Sequence, residues 1–140
     1  MKNLTKIEID ERIYRDERGW VINPLEEASL PHNTVGNLHI VSLHPDMMRG
    51  NHYHPGTREW LLVFDGPALV SGRLRGDESI TIIHVDEGKP ALFEIPPGIE
   101  HAIKNTSNKV IYLMSFSDFQ EPETIRCSDL FDVNGSYHNI

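Results

Sequence analysis

Short apolar stretches of strand length follow one another along this chain, each closed by glycine, proline, asparagine or aspartate. That cadence leaves little room for helix. Strands are expected near Leu4–Ile9, Trp20–Ile22, Val35–Leu43, Met48–His54, Glu59–Phe64, Ala68–Leu74, Ser79–Val85, Ala91–Glu94, His101–Asn105 and Val110–Phe116. Turns are expected between them, among others at Pro31-His32-Asn33, Pro55-Gly56 and Asp65-Gly66-Pro67. The helical candidates are Pro24–Leu30 and a short turn around Glu121–Leu130. In Ser79–Val85, Ile80, Ile82 and His84 share one face while Thr81, Ile83 and Val85 share the other. Glu59–Phe64 is apolar on both faces after its glutamate, as in a strand buried between two layers or packed on a partner subunit. Many short strands with this spacing predict a β-sandwich or a small barrel whose interior holds one small ligand.

At 140 residues the chain is expected to form one domain, 1–140, with enough residues to bury a core. Its charge is −8, from 13 Lys plus Arg against 21 Asp plus Glu, which disfavours nonspecific binding to nucleic acid or anionic membrane. No apolar run approaches the roughly 18 residues of a membrane span, and the first ten residues lack the apolar core of a secretory signal. Cys127 stands alone, which excludes an intrachain disulfide and makes the cytoplasm the expected compartment. Arginines come in groups: Arg12, Arg15 and Arg18, then Arg49, Arg58, Arg73 and Arg75. Such groups suit one phosphate or carboxylate, and equally a solvated surface.

The chemistry concentrates in three histidines and a glutamate. His52 and His54 are two apart, so an extended strand points both rings to one face. Glu59 opens the next strand, and His101 follows the stiff bend Pro96-Pro97-Gly98, which can swing a later strand back over the pair. Neutral imidazoles plus a carboxylate suit zinc, manganese, iron, nickel or copper. His32, His39, His44, His84 and His138 lack such partners and read as ordinary polar residues.

These residues resemble the cupin family. His52-x-His54-x4-Glu59-x6-Gly66 matches its first motif, with Asp46 where the leading glycine usually stands. Pro96-x-Gly98-x2-His101-x3-Asn105 matches the second, with the upstream Gly88 two residues farther away than usual. The resemblance spans roughly residues 35–116, leaving N-terminal strands within 1–34 and a C-terminal extension, 117–140. It implies an all-β, double-stranded jelly-roll barrel in which His52, His54, Glu59 and His101 bind a divalent metal ion. Glu100 and Asn105 are then candidates for orienting a ligand ring, or are solvent-facing polar residues.

A narrower resemblance links Asp16-Glu17-Arg18-Gly19-Trp20 and Met48-Arg49-Gly50-Asn51-His52-Tyr53 to cupin-type nucleotide-sugar epimerases and ketoisomerases. It implies that Arg18 and Arg49 hold the substrate's phosphates and that His52 is the catalytic base. The second segment is also similar to the cupin domain of bifunctional capsular-sugar enzymes that act on UDP-linked keto-hexoses and can carry zinc. Two departures stand out. The dTDP-sugar epimerases lack a histidine where His54 stands and need no metal. Their catalytic tyrosine has only Tyr112 as a counterpart, and alternation with Val110, Met114 and Phe116 predicts a buried structural role for it. A ring nitrogen that donates to a metal cannot also remove a proton, so a fully ligated ion excludes His52 as base. The expected function is a metal-binding cupin that isomerises or epimerises a small carbonyl compound or nucleotide sugar. The alternatives are an iron-dependent dioxygenase or lyase at the same site, and a noncatalytic small-molecule binder. A homodimer is expected from the apolar faces of Glu59–Phe64 and from a possible exchange of the strand at Leu4–Ile9.

Overall fold

Alternating side chains and frequent turn residues give two five-stranded antiparallel sheets laid face to face. The computed structural model describes residues 2–30, 34–118 and 123–131. The first sheet has the order β1 (Thr5–Ile7), β9 (Ala91–Ile95), β6 (Glu59–Val63), β11 (Ile111–Ser117), β4 (Asn37–Leu43). The second runs β12 (Ile125–Arg126), β5 (Met48–Tyr53), β10 (Ile99–Asn105), β7 (Ala68–Leu74), β8 (Thr81–Val85). A separate hairpin joins β2 (Tyr14–Asp16) to β3 (Gly19–Val21), and one short helix, α1 (Pro24–Glu27), follows it. The arrangement is the jelly roll expected from the two motifs. The turn expected at Pro31-His32-Asn33 lies outside the described residues, as does His138. Among the described residues no helix is long and apolar enough to cross a membrane.

Three apolar clusters divide the molecule into layers. Inward-facing Leu61, Val63, Val70, Phe93, Ile103 and Leu113 fill the space between the sheets toward one end. Outside the first sheet, Trp60, Leu62, Leu92 and Phe116 lie under the N-terminal segment, which contributes Ile9, Ile13 and Ala28. The Trp60 and Phe116 rings stack there at 5.7 Å, close to parallel. Outside the second sheet, Leu69, Ile82 and Ala102 are covered by Leu130 and Phe131 from the end of the described chain. The two faces read in Ser79–Val85 thus serve different layers, Ile82 outward and Val85 inward.

Of the two settings expected for β6, burial between layers is the one found, with the chain's own N-terminal segment as the cover. Several expectations are corrected. β1 pairs with β9 of the same chain, Lys6 opposite Phe93, so its pairing gives no support for strand exchange. Tyr112 is 51% exposed, because the outer face of β11 extends past the N-terminal cover. The segment expected to form a short helical turn near Glu121–Leu130 instead contains β12, which pairs with the edge of β5. Helix α1 is also shorter than the expected Pro24–Leu30, and the chain turns at Ser29 with φ of 56°.

The most constrained backbone point is a β-bulge on β5. His101 stands opposite His52, yet the next pair is Ala102 with Gly50, so Asn51 is the extra residue. Gly50 has φ of 103° and Asn51 φ of 57°, conformations that glycine and asparagine tolerate best. A Cβ on Gly50 would lie 2.7 Å from the His101 carbonyl oxygen and 2.8 Å from the Ala102 Cα. Both neighbours are backbone and cannot move aside. Gly50→Ala is therefore expected to destabilise the protein by about 2–5 kcal/mol, combining backbone strain with overpacking. Urea unfolding reads this directly, and a wild-type midpoint would show that the strands tolerate a wider separation.

Candidate functional site

The bulge decides which side chains share the interior face. His52 and His54 are two apart and face the space between the sheets, as the alternation predicts. Arg49 is three residues before His52, and in a regular strand it would face outward. The extra residue restores the parity, so Arg49 pairs with inward-facing Ile103 and lines the same cavity. Its Nε donates to the Ser42 carbonyl at 3.0 Å, reaching across to the edge strand of the other sheet. The cavity encloses about 760 Å³ and opens to solvent.

The strand pairing brings the predicted ligands together from both sheets. His52 sits directly opposite His101, their ring centres 4.8 Å apart, while His54 lies 4.9 Å from His52 and 5.6 Å from His101. One ligand nitrogen from each of the three lies within 4.8 Å of the others. Glu59, at the start of β6 in the facing sheet, bridges two of them. Its carboxylate oxygens are 3.3 Å from His101 Nε2 and 3.5 Å from His54 Nε2.

Backbone carbonyls hold the rings. His101 Nδ1 donates to the Ile99 carbonyl at 2.9 Å, and His54 Nδ1 to the Glu123 carbonyl at 3.0 Å, with the Thr124 hydroxyl 3.3 Å away. A proton held on Nδ1 leaves the Nε2 of each neutral ring a bare lone pair aimed at the Glu59 carboxylate. His101 Nε2 is buried and makes no hydrogen bond despite its nearness to Glu59. Lone pairs facing a carboxylate repel unless a cation stands between them. Either a proton or a metal ion meets that need. A tetrahedral ion at 2.0–2.1 Å keeps its nitrogens about 3.4 Å apart, within reach of small rotations of these rings. The donor set therefore fits a divalent ion.

The protonation states follow the same geometry. Burial pushes His52 down to about 4, helped by the neighbouring His101 and His54, so its ring is neutral at neutral pH. His54 is pulled down by burial, but its contact with Glu59 outweighs that and raises it above the usual imidazole value. Burial works to raise Glu59, yet the two histidines hold its carboxyl well below the usual carboxylate range.

Other expected residues lie elsewhere. Glu100 is buried in an ion pair with Arg73, with contacts of 2.8 and 2.5 Å, and Arg73 also reaches the Ser128 hydroxyl. Asn105 is fully buried and ties a turn together through the Leu43 and Lys109 carbonyls. Neither orients a ring or faces solvent. Arg18 lies on the β2–β3 hairpin, 80% exposed, with its guanidinium 2.5 Å from Asp16, and it does not line the cavity. His39, read as ordinary, lines it, as do Thr124 and Arg126, which the sequence did not single out. His39 shares its face of β4 with Val41 and Leu43, an alternation visible in the sequence. Thr124 and Arg126 left no such signal, because only tertiary pairing carries them to the site.

Residues 14–125 match the model of the polysaccharide biosynthesis C-terminal domain family. The chain belongs to that family. It is 28% identical over 123 residues to the UDP-2-acetamido-2,6-beta-L-arabino-hexul-4-ose reductase of Pseudomonas aeruginosa, covering 85% of this chain and 32% of that protein. It thus spans about a third of the length of the curated relative it matches. Among solved structures it is similar to the capsular polysaccharide assembling protein CapF of Staphylococcus aureus, with a TM-score of 0.63 and 22% identity over 84% of this chain and 34% of that one. It is also similar to a mutant of the 3,4-ketoisomerase QdtA of Thermoanaerobacterium thermosaccharolyticum, solved with TDP-4-keto-6-deoxyglucose. There the TM-score is 0.65 with 16% identity over 88% of this chain and 85% of that one. These likenesses show that the fold is the cupin jelly roll.

Beside the site, Cys127 donates its backbone N–H to the Asn51 carbonyl at 2.9 Å. Burial, with the nearby Glu100 carboxylate adding to it, pushes its thiol up to about 11. The thiol is thus protonated throughout the physiological range, and its thiolate fraction rises tenfold per pH unit until about pH 11. Iodoacetamide labelling of the native protein at pH 8 is expected to be about 100-fold slower than in urea. Equal rates would show that the thiol is not held in this environment.

Proposed function

We propose that this chain is a metal-binding cupin that isomerises or epimerises a keto-sugar carried on a nucleotide, by moving a proton on a carbon beside the sugar's carbonyl. The observation that carries the reading is the convergence of three imidazoles and one carboxylate, drawn from both sheets, on the wall of an open cavity of about 760 Å³. Family membership supports it, as do relatives whose names refer to a UDP-linked hexulose and a TDP-linked keto-sugar.

Glu59 lies within 3.5 Å of both His54 and His101, and His52 completes the donor set. A bound divalent ion would supply a Lewis acid for an oxygen of the substrate. The protein's own groups do the rest. Arg49 holds the anionic part of the substrate at the cavity wall, and the apolar residues behind the histidines exclude water from the reacting carbon. His52, neutral at neutral pH, serves either as the fourth ligand or as the base, and the two roles exclude each other.

In deuterated buffer, the enzyme is expected to exchange a carbon-bound proton of UDP- or dTDP-linked 4-keto-6-deoxyhexoses. Absence of exchange with every such nucleotide sugar would overturn the proposal. His52→Asn separates the two roles of that residue. Retained metal with exchange lost identifies the base, whereas loss of both identifies a ligand.

We further infer that the protein works as a homodimer in the cytoplasm, where a lone thiol stays reduced. Leu38, Ile40 and Tyr112 are 50%, 61% and 51% exposed, and the register of β4 and β11 puts all three on one outer face. Ile40→Lys is expected to convert a dimer into a monomer in sedimentation experiments without unfolding it. A monomeric wild type would refute the dimer.

A further inference from the structure

The end of the described chain, residues 123–131, is a strap bound across the edge of β5. The Asn51 backbone carbonyl accepts from Cys127 N at 2.9 Å, and its side-chain Oδ1 accepts from Leu130 N at 2.9 Å. Leu130 and Phe131 are buried beneath it. Just before these anchors, β12 pairs with β5 so that Arg126 stands directly opposite His52. Residues directly opposite in an antiparallel pair project to the same face. Arg126, and Thr124 two residues before it, therefore line the cavity together with the histidines.

The charge pattern gives this placement its meaning. Elsewhere Arg12, Arg18, Arg58, Arg73 and Lys109 are each paired with a carboxylate. Among the described residues, neither Arg49 nor Arg126 has such a partner. Arg49 spends one N–H on a carbonyl and, among the described residues, keeps the rest of its fork free. In a chain of charge −8, two guanidinium groups left without carboxylates on one cavity wall are a site for an anion. One precedes His52 on its own strand and the other lies beside it on the next.

We propose that Arg126 is a substrate-binding residue that acts with Arg49 as a two-arginine clamp for the phosphates of the substrate. This rests on the nucleotide-sugar reading of the same cavity. A planar guanidinium offers paired N–H donors that match phosphate oxygens, so the clamp holds the nucleotide end while the sugar lies against the histidines. The strap supplies both this cation and the carbonyl that orients His54.

The test is calorimetric titration of the full chain with UDP, dTDP and inorganic pyrophosphate. It compares wild type with Arg126→Gln, Arg126→Lys and Arg75→Gln. Arg75 lies over the Tyr53 ring at 4.6 Å and does not line the cavity, so its substitution controls for a simple loss of charge. The expected result is at least tenfold weaker nucleoside diphosphate binding in Arg126→Gln, partial recovery in Arg126→Lys and no change in Arg75→Gln. Nucleotide binding that survives Arg126→Gln overturns the clamp and leaves the nucleotide-sugar reading standing. Pyrophosphate binding lost in Arg126→Gln, with no nucleotide binding by wild type, upholds the anion site and refutes the nucleotide reading. No binding of any of the three by wild type overturns both.

Discussion

The close approach of the Gly50 backbone to His101 and Ala102 governs the rest of the site. It is possible because residue 50 has no side chain and the chain there takes a positive φ. The resulting bulge sets three things at once. It places His52 opposite His101, it turns Arg49 onto the ligand face, and it leaves Asn51 free to anchor the C-terminal strap. A regular strand would keep the histidine pair but send Arg49 outward and loosen the strap. The bulge and the convergence of the candidate ligands are thus one structural feature.

The electrostatics of the interior follow from that geometry. A carboxylate from one sheet faces imidazoles from the other, and backbone carbonyls fix the tautomers of His54 and His101. Burial makes this arrangement unfavourable without a cation, because lone pairs and negative charge then converge where water cannot screen them. A proton satisfies it in part, as the raised His54 indicates. His52 differs, since burial and its two neighbours keep it neutral. One cluster of similar side chains therefore holds groups with opposite tendencies, a pattern suited to binding a cation and handling a proton in the same cavity.

Much of the site was legible in the residue order, for local reasons. Two histidines two apart share a face in any extended strand, and a Pro-Pro-Gly bend ahead of His101 turns the chain back. The cupin spacing named all four ligand candidates, and the structure brings them together. Tyr112 failed for the opposite reason. Alternation correctly grouped it with Phe116, but which stretch of that face is covered depends on where the N-terminal segment ends. His39 was visible in the alternation of β4 and was passed over because no ligand-like neighbour lies near it in the chain. Glu100 and Asn105 have the polarity of ring-orienting groups, yet carbonyls of Ile99 and Glu123 do that work, and a carbonyl leaves no mark on the sequence.

By itself, then, the sequence determined the succession of strands, the inward direction of the histidine pair and which residues are candidate ligands. These depend on periodicity and on side-chain chemistry, which are properties of neighbouring residues. Tertiary structure alone decided that the N-terminal segment covers β6, that Arg49 faces inward across a bulge, and that Arg126 arrives beside His52. Each of those depends on pairing between segments remote in the chain, and register across such a pair is set by packing and turn geometry at a distance.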